Sequence, residues 1–219
     1  MFTGIVQTMG SVAALTPTGA GVRLEIDTEG WVPDRGYRPA LGDSIAVSGV
    51  CLTLAAIEGG VFGFDVISET LAKTSLGRLE RGSRVNLEPA VLPTQPMGGH
   101  FVQGHVDGVG AVTAIDADPA DWRLTIRPPA SMMAWMVAKG SVCIDGVSLT
   151  LADRDAETIT IALIPTTLEV TTLGSLKVGD TVNLEGDVLV KAIGHTLRAM
   201  SASEEPVDMD LLKRAGFGD

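Results

Sequence analysis

Cysteine, histidine and aromatic residues are all scarce: two Cys, three His, and Phe, Tyr and Trp together only 4% of the chain. Two cysteines at unrelated positions build neither a disulfide framework nor a zinc cluster, and three histidines leave a structural metal needing carboxylates that nothing spaces correctly. No resident metal is expected. Positive charge is short too: 16 Lys and Arg against 27 Asp and Glu give a net charge of -11, and the basic residues form no stripe. Such a chain repels phosphate backbones, so no nucleic acid partner is expected. No apolar run approaches the roughly 18 to 20 residues that cross a bilayer, and no basic segment leads into one. A cytoplasmic protein without membrane association is the expectation. GVGAV at 108–112 is not a dinucleotide fingerprint, because the strand, turn and long helix that a fingerprint needs are missing. Phosphate loops and hydrolase elbows are likewise missing.

Glycine, by contrast, is abundant at 26 residues, and much of the chain is written twice. GDSIAVSGVCLTLA at 42–55 lies over KGSVCIDGVSLTLA at 139–152 with an offset of 97, and the register holds without a gap to the two VNLE segments, giving 19 identities in 47 pairs. FTGIVQTMGSV at 2–12 lies over VQGHVDGVGAV at 102–112 with an offset of 100. The chain is a tandem duplication. Within each copy, short runs such as GVRLEID, CLTLAAI and RVNLE, or SLTLAD, TITIALI and TVNLE, alternate apolar and polar residues between Gly, Pro and Asp. Period 2 over so few residues reads as antiparallel strands, five or six per copy, and a closed Greek-key barrel removes their exposed edges. SETLAKTSLGRL and PTTLEVTTLGSL break the alternation and read as short helical turns closed by Gly77 and Gly174 in the left-handed conformation. PAVLPTQPMGG at 89–99 reads as a linker. The expected domains are 1–97, 98–187 and a helical tail over 188–219.

That tail has no counterpart in the first copy. Asp187 can cap a helix that carries Val188, Ile193, Leu197 and Met200, and DMDLLKRAGF at 208–217 is a further turn or two. Its apolar face serves either oligomerisation or packing onto its own barrel. TEGWVPDRGYRPALGD at 28–43, with the only Tyr, reads equally as a surface loop or a lid.

The chemistry-bearing candidates are small polar residues. Cys51 and Thr53 share one side of a strand, and at the 97-residue offset Ser148 and Thr150 repeat the arrangement. This reads as a polar pocket wall, or as a buried cysteine beside threonines that merely suit a strand. Ser48-Gly49 and Asp145-Gly146 are two-residue hairpin turns, so Asp145 has a turn role without any chemistry. His100 and His105 fall on opposite faces if their segment is extended, and either is a candidate general acid or base, since histidine exchanges protons near neutral pH. The alternative is a histidine satisfying a turn. Where the second copy has His105 the first has Ile5, so the two halves are not equivalent. From the residues alone, two classes stand: an acid-base enzyme acting on a small ligand, and a non-catalytic binding protein, separated by turnover.

MFTGIV, the pair SGVCLTL and DGVSLTL, the pair ETLAKTSLG and TTLEVTTLG, GGHFVQGHVDG and the two VNLE endings together resemble the alpha-type riboflavin synthase family, over nearly all of residues 1–200. The resemblance implies two six-stranded Greek-key barrels and a C-terminal helix, assembled as a homotrimer with active sites between subunits. It implies exchange of a four-carbon unit between two molecules of 6,7-dimethyl-8-ribityllumazine, giving riboflavin and 5-amino-6-ribitylaminouracil without a cofactor. Association with lumazine synthase is among the implied partners. The implied catalytic residues are Cys51, His105, Ser148 and Asp187. On the first barrel the implied substrate contacts are Phe2, Thr3, Gly4, Ser44, Ser48, Gly49, Val50, Thr53, Ile67 and Thr70, with the terminal Met1-Phe2 pair lying against the substrate ring. On the second they are Lys139, Asp145, Gly146, Thr150, Ile164, Pro165 and Thr167. Ser48, Val50 and Thr166 depart from the residues that some members carry. A sister group of non-catalytic lumazine- or flavin-binding accessory proteins shares the barrels and is the alternative.

Overall fold

The computed structural model describes residues 1–32 and 37–202, with side chains as far as Met200. Among the described residues, twelve strands form two closed barrels of six. The first comprises β1 (Thr8–Thr18), β2 (Gly21–Asp27), β3 (Ser44–Val47), β4 (Val50–Glu58), β5 (Val61–Ile67) and β6 (Arg84–Pro89). The second comprises β7 (Gly108–Asp116), β8 (Arg123–Arg127), β9 (Ser141–Ile144), β10 (Val147–Arg154), β11 (Ile159–Ala162) and β12 (Thr181–Gly186). Their neighbour orders, β1-β2-β5-β4-β3-β6 and β7-β8-β11-β10-β9-β12, are the same Greek-key circuit. Every pairing is antiparallel, as period-2 strands joined by short turns require.

Alternation sets which side chains fill each barrel. Leu52 and Leu54 point inward from β4 while Cys51 and Thr53 point outward, and on β10 Leu151 is buried while Ser148 and Thr150 face out. The first core gathers Leu24, Ile26, Phe64, Val85 and Leu87; the second gathers Leu124, Ile126, Ile159, Ile161 and Leu184. Register shifts at Val12/Ala14 and Leu54/Ala56 recur at Val112/Ala114 and Leu151/Asp153, giving each barrel its bends at equivalent places. The second barrel is further packed by Met132, Met133 and Met136 around a 3-10 turn over Ala130–Trp135.

The helical segments after β5 and β11 are α1 (Ser68–Lys73) and α2 (Pro165–Val170), each followed by a 3-10 turn. Gly77 and Gly174 lie inside those turns with ordinary φ, not in the left-handed conformation expected of them. Their role is space: a Cβ would stand 2.4 Å from Leu71 O at Gly77 and 2.3 Å from Leu168 O at Gly174.

Met1–Val188 forms one compact unit. The two hairpin turns do have the backbone expected of a type I′ turn, with φ of 43° and 79° at Ser48 and Gly49 and 45° and 84° at Asp145 and Gly146. They press against each other: a Cβ on Gly49 would lie 2.7 Å from Gly146 N. Around this contact two buried asparagines reach across to the opposite barrel. Asn86 Nδ2 donates to Asp145 O (2.8 Å) and Thr172 Oγ1 (2.9 Å), and its Oδ1 accepts from Thr172 N (2.8 Å). Asn183 Nδ2 donates to Ser48 O (2.8 Å), and its Oδ1 accepts from Ser75 N (2.7 Å). The asparagine of each VNLE segment therefore fastens the seam.

Asp145 is buried in that seam, its Oδ1 accepting from Asn183 N at 2.7 Å. Burial pushes its carboxyl up from 3.8 to about 7, against the opposing pull of that hydrogen bond. An acid whose folded value is raised contributes stability that is full below the unfolded value and lost as pH rises through about 7. Asp145→Asn removes this slope, since asparagine also tolerates positive φ. Thermal melts should show parent and variant alike near pH 4 and the variant more stable at pH 8, by about 2 kcal/mol or ~4–8 °C. Equal melting temperatures at pH 8 would refute a charged, strained Asp145.

The second unit, Leu189–Asp219, is described as far as residue 202. α3 (Val188–Ala202) leads into it and places exposed Leu189, Ile193, Leu197 and Met200 along one helical stripe. The expected turns over 208–217 lie outside the described residues, as do 33–36 of the 28–43 loop. Of that loop, Trp31 packs on the first core with its ring 6.1 Å from Phe62, and Tyr37 Oη donates to Asp43 Oδ2 at 2.6 Å. Among the described residues no helix is long and apolar enough to cross a membrane.

Candidate functional site

Two arms, residues 1–7 and 98–107, run up to β1 and β7 and cross between the barrels. Where an extended segment was expected to hold His100 and His105 on opposite strand faces, the second arm is irregular, with a β-bridge from Val102 to Phe2 and a hydrogen bond from His100 N to Thr3 O at 3.2 Å. Phe2 N donates to Val102 O (2.7 Å) and Val102 N to Phe2 O (3.1 Å). Beyond the bridge each arm serves the opposite barrel. Gly104 O accepts from Cys51 N at 2.8 Å, and Gly4 O accepts from Ser148 N at 2.7 Å. Glycine is required at both, with φ of 79° and 75°, and a Cβ would stand 2.6 Å from the Cβ of Cys51 or Ser148 respectively.

The crossing brings His105 to Cys51. A hollow of about 260 Å³ on the outer face of the first barrel is lined by Val50, Cys51, Ile67, Glu69, Thr70, Lys73, Thr74, Gly104, His105 and Val106. Five of the expected residues meet here: Val50, Cys51, Ile67, Thr70 and His105. Ser44 and Thr53, opposite each other across β3 and β4, continue the face that carries Cys51. Glu69 and Lys73, an ion pair at 3.0 Å one turn apart on α1, join the lining without having been singled out by spacing.

The equivalent face of the second barrel carries Ser148 and Thr150, and exposed Ile164 leads into α2, which holds Pro165 and Thr167. The companion here is His100, not His105: His100 Nδ1 lies 2.7 Å from Ser148 Oγ. His100 Nε2 is buried with no hydrogen-bond partner among the described residues. Burial holds this imidazole below the ordinary histidine range, while the Asp187 charge pulls the other way. A neutral imidazole beside a hydroxyl can take up or return the hydroxyl proton. Gly99 supplies the signal in the sequence: a Cβ there would lie 2.8 Å from Ser148 Oγ, so the glycine before His100 clears the approach. Lys139 is exposed before β9, its Nζ donating to Ala152 O at 3.3 Å, and it holds a φ of 62° where the repeat has Gly42.

Several expected contacts lie elsewhere. The Phe2 ring is fully buried with Ala46, Val102 and Cys143, an apolar plug at the crossing of the arms. Thr3 is buried too, its hydroxyl donating to Glu88 Oε1 at 2.7 Å. Gly49 and Gly146 meet each other at the seam, while Ser48 and Asp145 line a separate hollow of about 480 Å³ with Arg78, Arg84, Thr172 and Thr181. No group of three or more His, Cys, Asp or Glu is placed to hold a metal ion among the described residues.

Both copies of the repeat match the family described as "Lumazine binding domain", over residues 3–90 and 103–187. The chain is 41% identical to the riboflavin synthase of Actinobacillus pleuropneumoniae over 220 residues, covering 99% of this chain and 100% of that protein. It is 44% identical to the riboflavin synthase of Mycobacterium tuberculosis (strain ATCC 25618 / H37Rv), covering 91% and 99%. Among solved structures, LumP complexed with riboflavin superposes with a TM-score of 0.76 at 28% identity, covering 85% of this chain and 99% of that one. LumP complexed with 6,7-dimethyl-8-(1'-D-ribityl) lumazine superposes with a TM-score of 0.75 at 27% identity and the same coverage. Duplicated barrels, outward faces centred on Cys51 and Ser148, and near-full-length identity above 40% lead to one assignment: the chain belongs to the riboflavin synthase family of tandem lumazine-binding barrels.

Proposed function

We propose that the chain catalyses the riboflavin synthase reaction, in which one 6,7-dimethyl-8-ribityllumazine gives a four-carbon unit to a second, yielding riboflavin and 5-amino-6-ribitylaminouracil. The observation that carries this reading is the pair of equivalent outward faces, one with Cys51 and His105 and the other with Ser148 and His100. A reaction between two copies of one substrate needs two similar surfaces that treat them unequally. The C7 methyl of the lumazine is acidic because its carbanion spreads into an electron-poor heterocycle, so the substrate is its own electron sink. What the protein adds is register and proton movement, and well-oriented reactants gain up to roughly 7–11 kcal/mol.

In this reading His105 and the His100–Ser148 pair move protons, Cys51 activates or positions the acceptor, and Asp187 supports the second face. Ser44, Thr53, Val50, Ile67 and Thr70 bind one substrate; Thr150, Ile164, Pro165, Thr167 and Lys139 bind the other. A homotrimer that sets the first barrel of one subunit against the second barrel of its neighbour completes the site. Two features support it: the 260 Å³ hollow is below the roughly 300–1,000 Å³ of a pocket that encloses a small ligand, and the apolar stripe of α3 suits assembly. Association with lumazine synthase rests on the family resemblance.

The test is direct. Incubated with 6,7-dimethyl-8-ribityllumazine alone, the purified chain should generate riboflavin absorbance and fluorescence. Binding without product would favour the non-catalytic accessory-protein reading.

A further inference from the structure

Two buried glutamates, one per VNLE segment, receive the arms. Glu185, 2% exposed at the end of β12, accepts from Gln103 N through Oε1 (2.7 Å) and from Gly104 N (2.9 Å) and His105 N (3.0 Å) through Oε2. Glu88 accepts from Thr3 N (2.7 Å) and the Thr3 hydroxyl (2.7 Å) through Oε1, and from Gly4 N (3.0 Å) through Oε2. Three consecutive N–H groups converge on one carboxylate only if the backbone curls, and Gly104 at φ 79° provides the curl. The same curl turns Gly104 O onto Cys51 N.

We propose that Glu185, a residue of the second barrel, is the positioning residue for the first barrel's hollow: it holds the arm so that Gly104 lies on Cys51 and His105 stands beside the thiol. Glu88 holds the Gly4 arm against Ser148 in the same way. Each reactive face is thus aligned by an acid rooted in the other barrel. Only a carboxylate suits the task, since the amide nitrogen of glutamine cannot accept from a backbone N–H. The inference rests on the reading that places Cys51 and His105 in the site.

The test compares Glu185→Gln with Glu88→Gln by alkylating the native protein with iodoacetamide. Cys51 is partly exposed whereas Cys143 is buried, so native alkylation reports Cys51. Glu185→Gln loosens the arm and should raise the Cys51 rate about tenfold, while Glu88→Gln should leave it within about twofold of the parent. In turnover, Glu185→Gln should lower kcat and flatten its pH dependence in the manner of a change at His105 itself. A Cys51 rate unchanged in Glu185→Gln, or raised equally in both variants, would overturn the assignment. The thiol measurement needs no turnover, so an inactive chain still decides it. Should Glu185→Gln not fold, amide exchange in the unaltered protein decides: Gln103, Gly104 and His105 exchanging at unprotected rates would sink the clamp.

Discussion

His105→Gln lowers the kcat of riboflavin formation by about a hundredfold and flattens its pH dependence, the expected result if the imidazole carries a proton in the rate-limiting step. Glutamine keeps the reach and hydrogen-bonding capacity of the side chain without titrating near neutrality. His105 is exposed on its arm above the thiol, and the other titratable groups around the hollow are Cys51, Glu69 and Lys73. Glu69 and Lys73 are already paired with each other across one helical turn. A kcat profile that keeps its parent shape between about pH 5.5 and 8.5 would remove His105 from proton transfer and leave it a purely spatial role. Binding of riboflavin, followed by fluorescence quenching, should change far less than kcat.

Asn86→Ala should cost about 3–5 kcal/mol and lower Tm by roughly 6–20 °C. Three hydrogen bonds disappear, and Asp145 O, Thr172 N and Thr172 Oγ1 lose their partner at a seam where Asn86 itself is 1% exposed. Each buried group left without a partner costs about 1–3 kcal/mol, and alanine adds a void. Denaturant unfolding should show a lower midpoint; a variant within 1 kcal/mol of the parent would mean the asparagines decorate the seam without holding it. Two transitions in place of one would show the barrels unfolding separately once unfastened.

The barrels were legible in the residues because alternation and internal repetition are local signals: each of VNLE, CLTLAAI and SLTLAD states its period within a few positions. The hairpin turns were legible for the same reason. What those turns touch was not, since Gly49 meeting Gly146 depends on how two closed barrels dock, a contact between residues 97 apart. The burial of Phe2 was not legible either, because nothing in FTGIV shows that its arm plugs a crossing. The partnership of His100 with Ser148 was hidden by a sequence separation of 48. A repeated Asn and Glu within strands that otherwise alternate was the available clue to the seam and the clamps, since polar residues kept inside a barrel wall need partners.

The crossing of the arms bears on how two such faces became unlike. A pair of identical barrels exchanging identical arms would carry every arm residue twice, so a histidine beside one reactive group would stand beside both. Joining the barrels in one chain breaks that bookkeeping: His105 lies over Cys51, while Ile5, its counterpart, belongs to the arm that lies over Ser148. A two-fold object thereby gains a direction, and two indistinguishable guests can be given different parts to play.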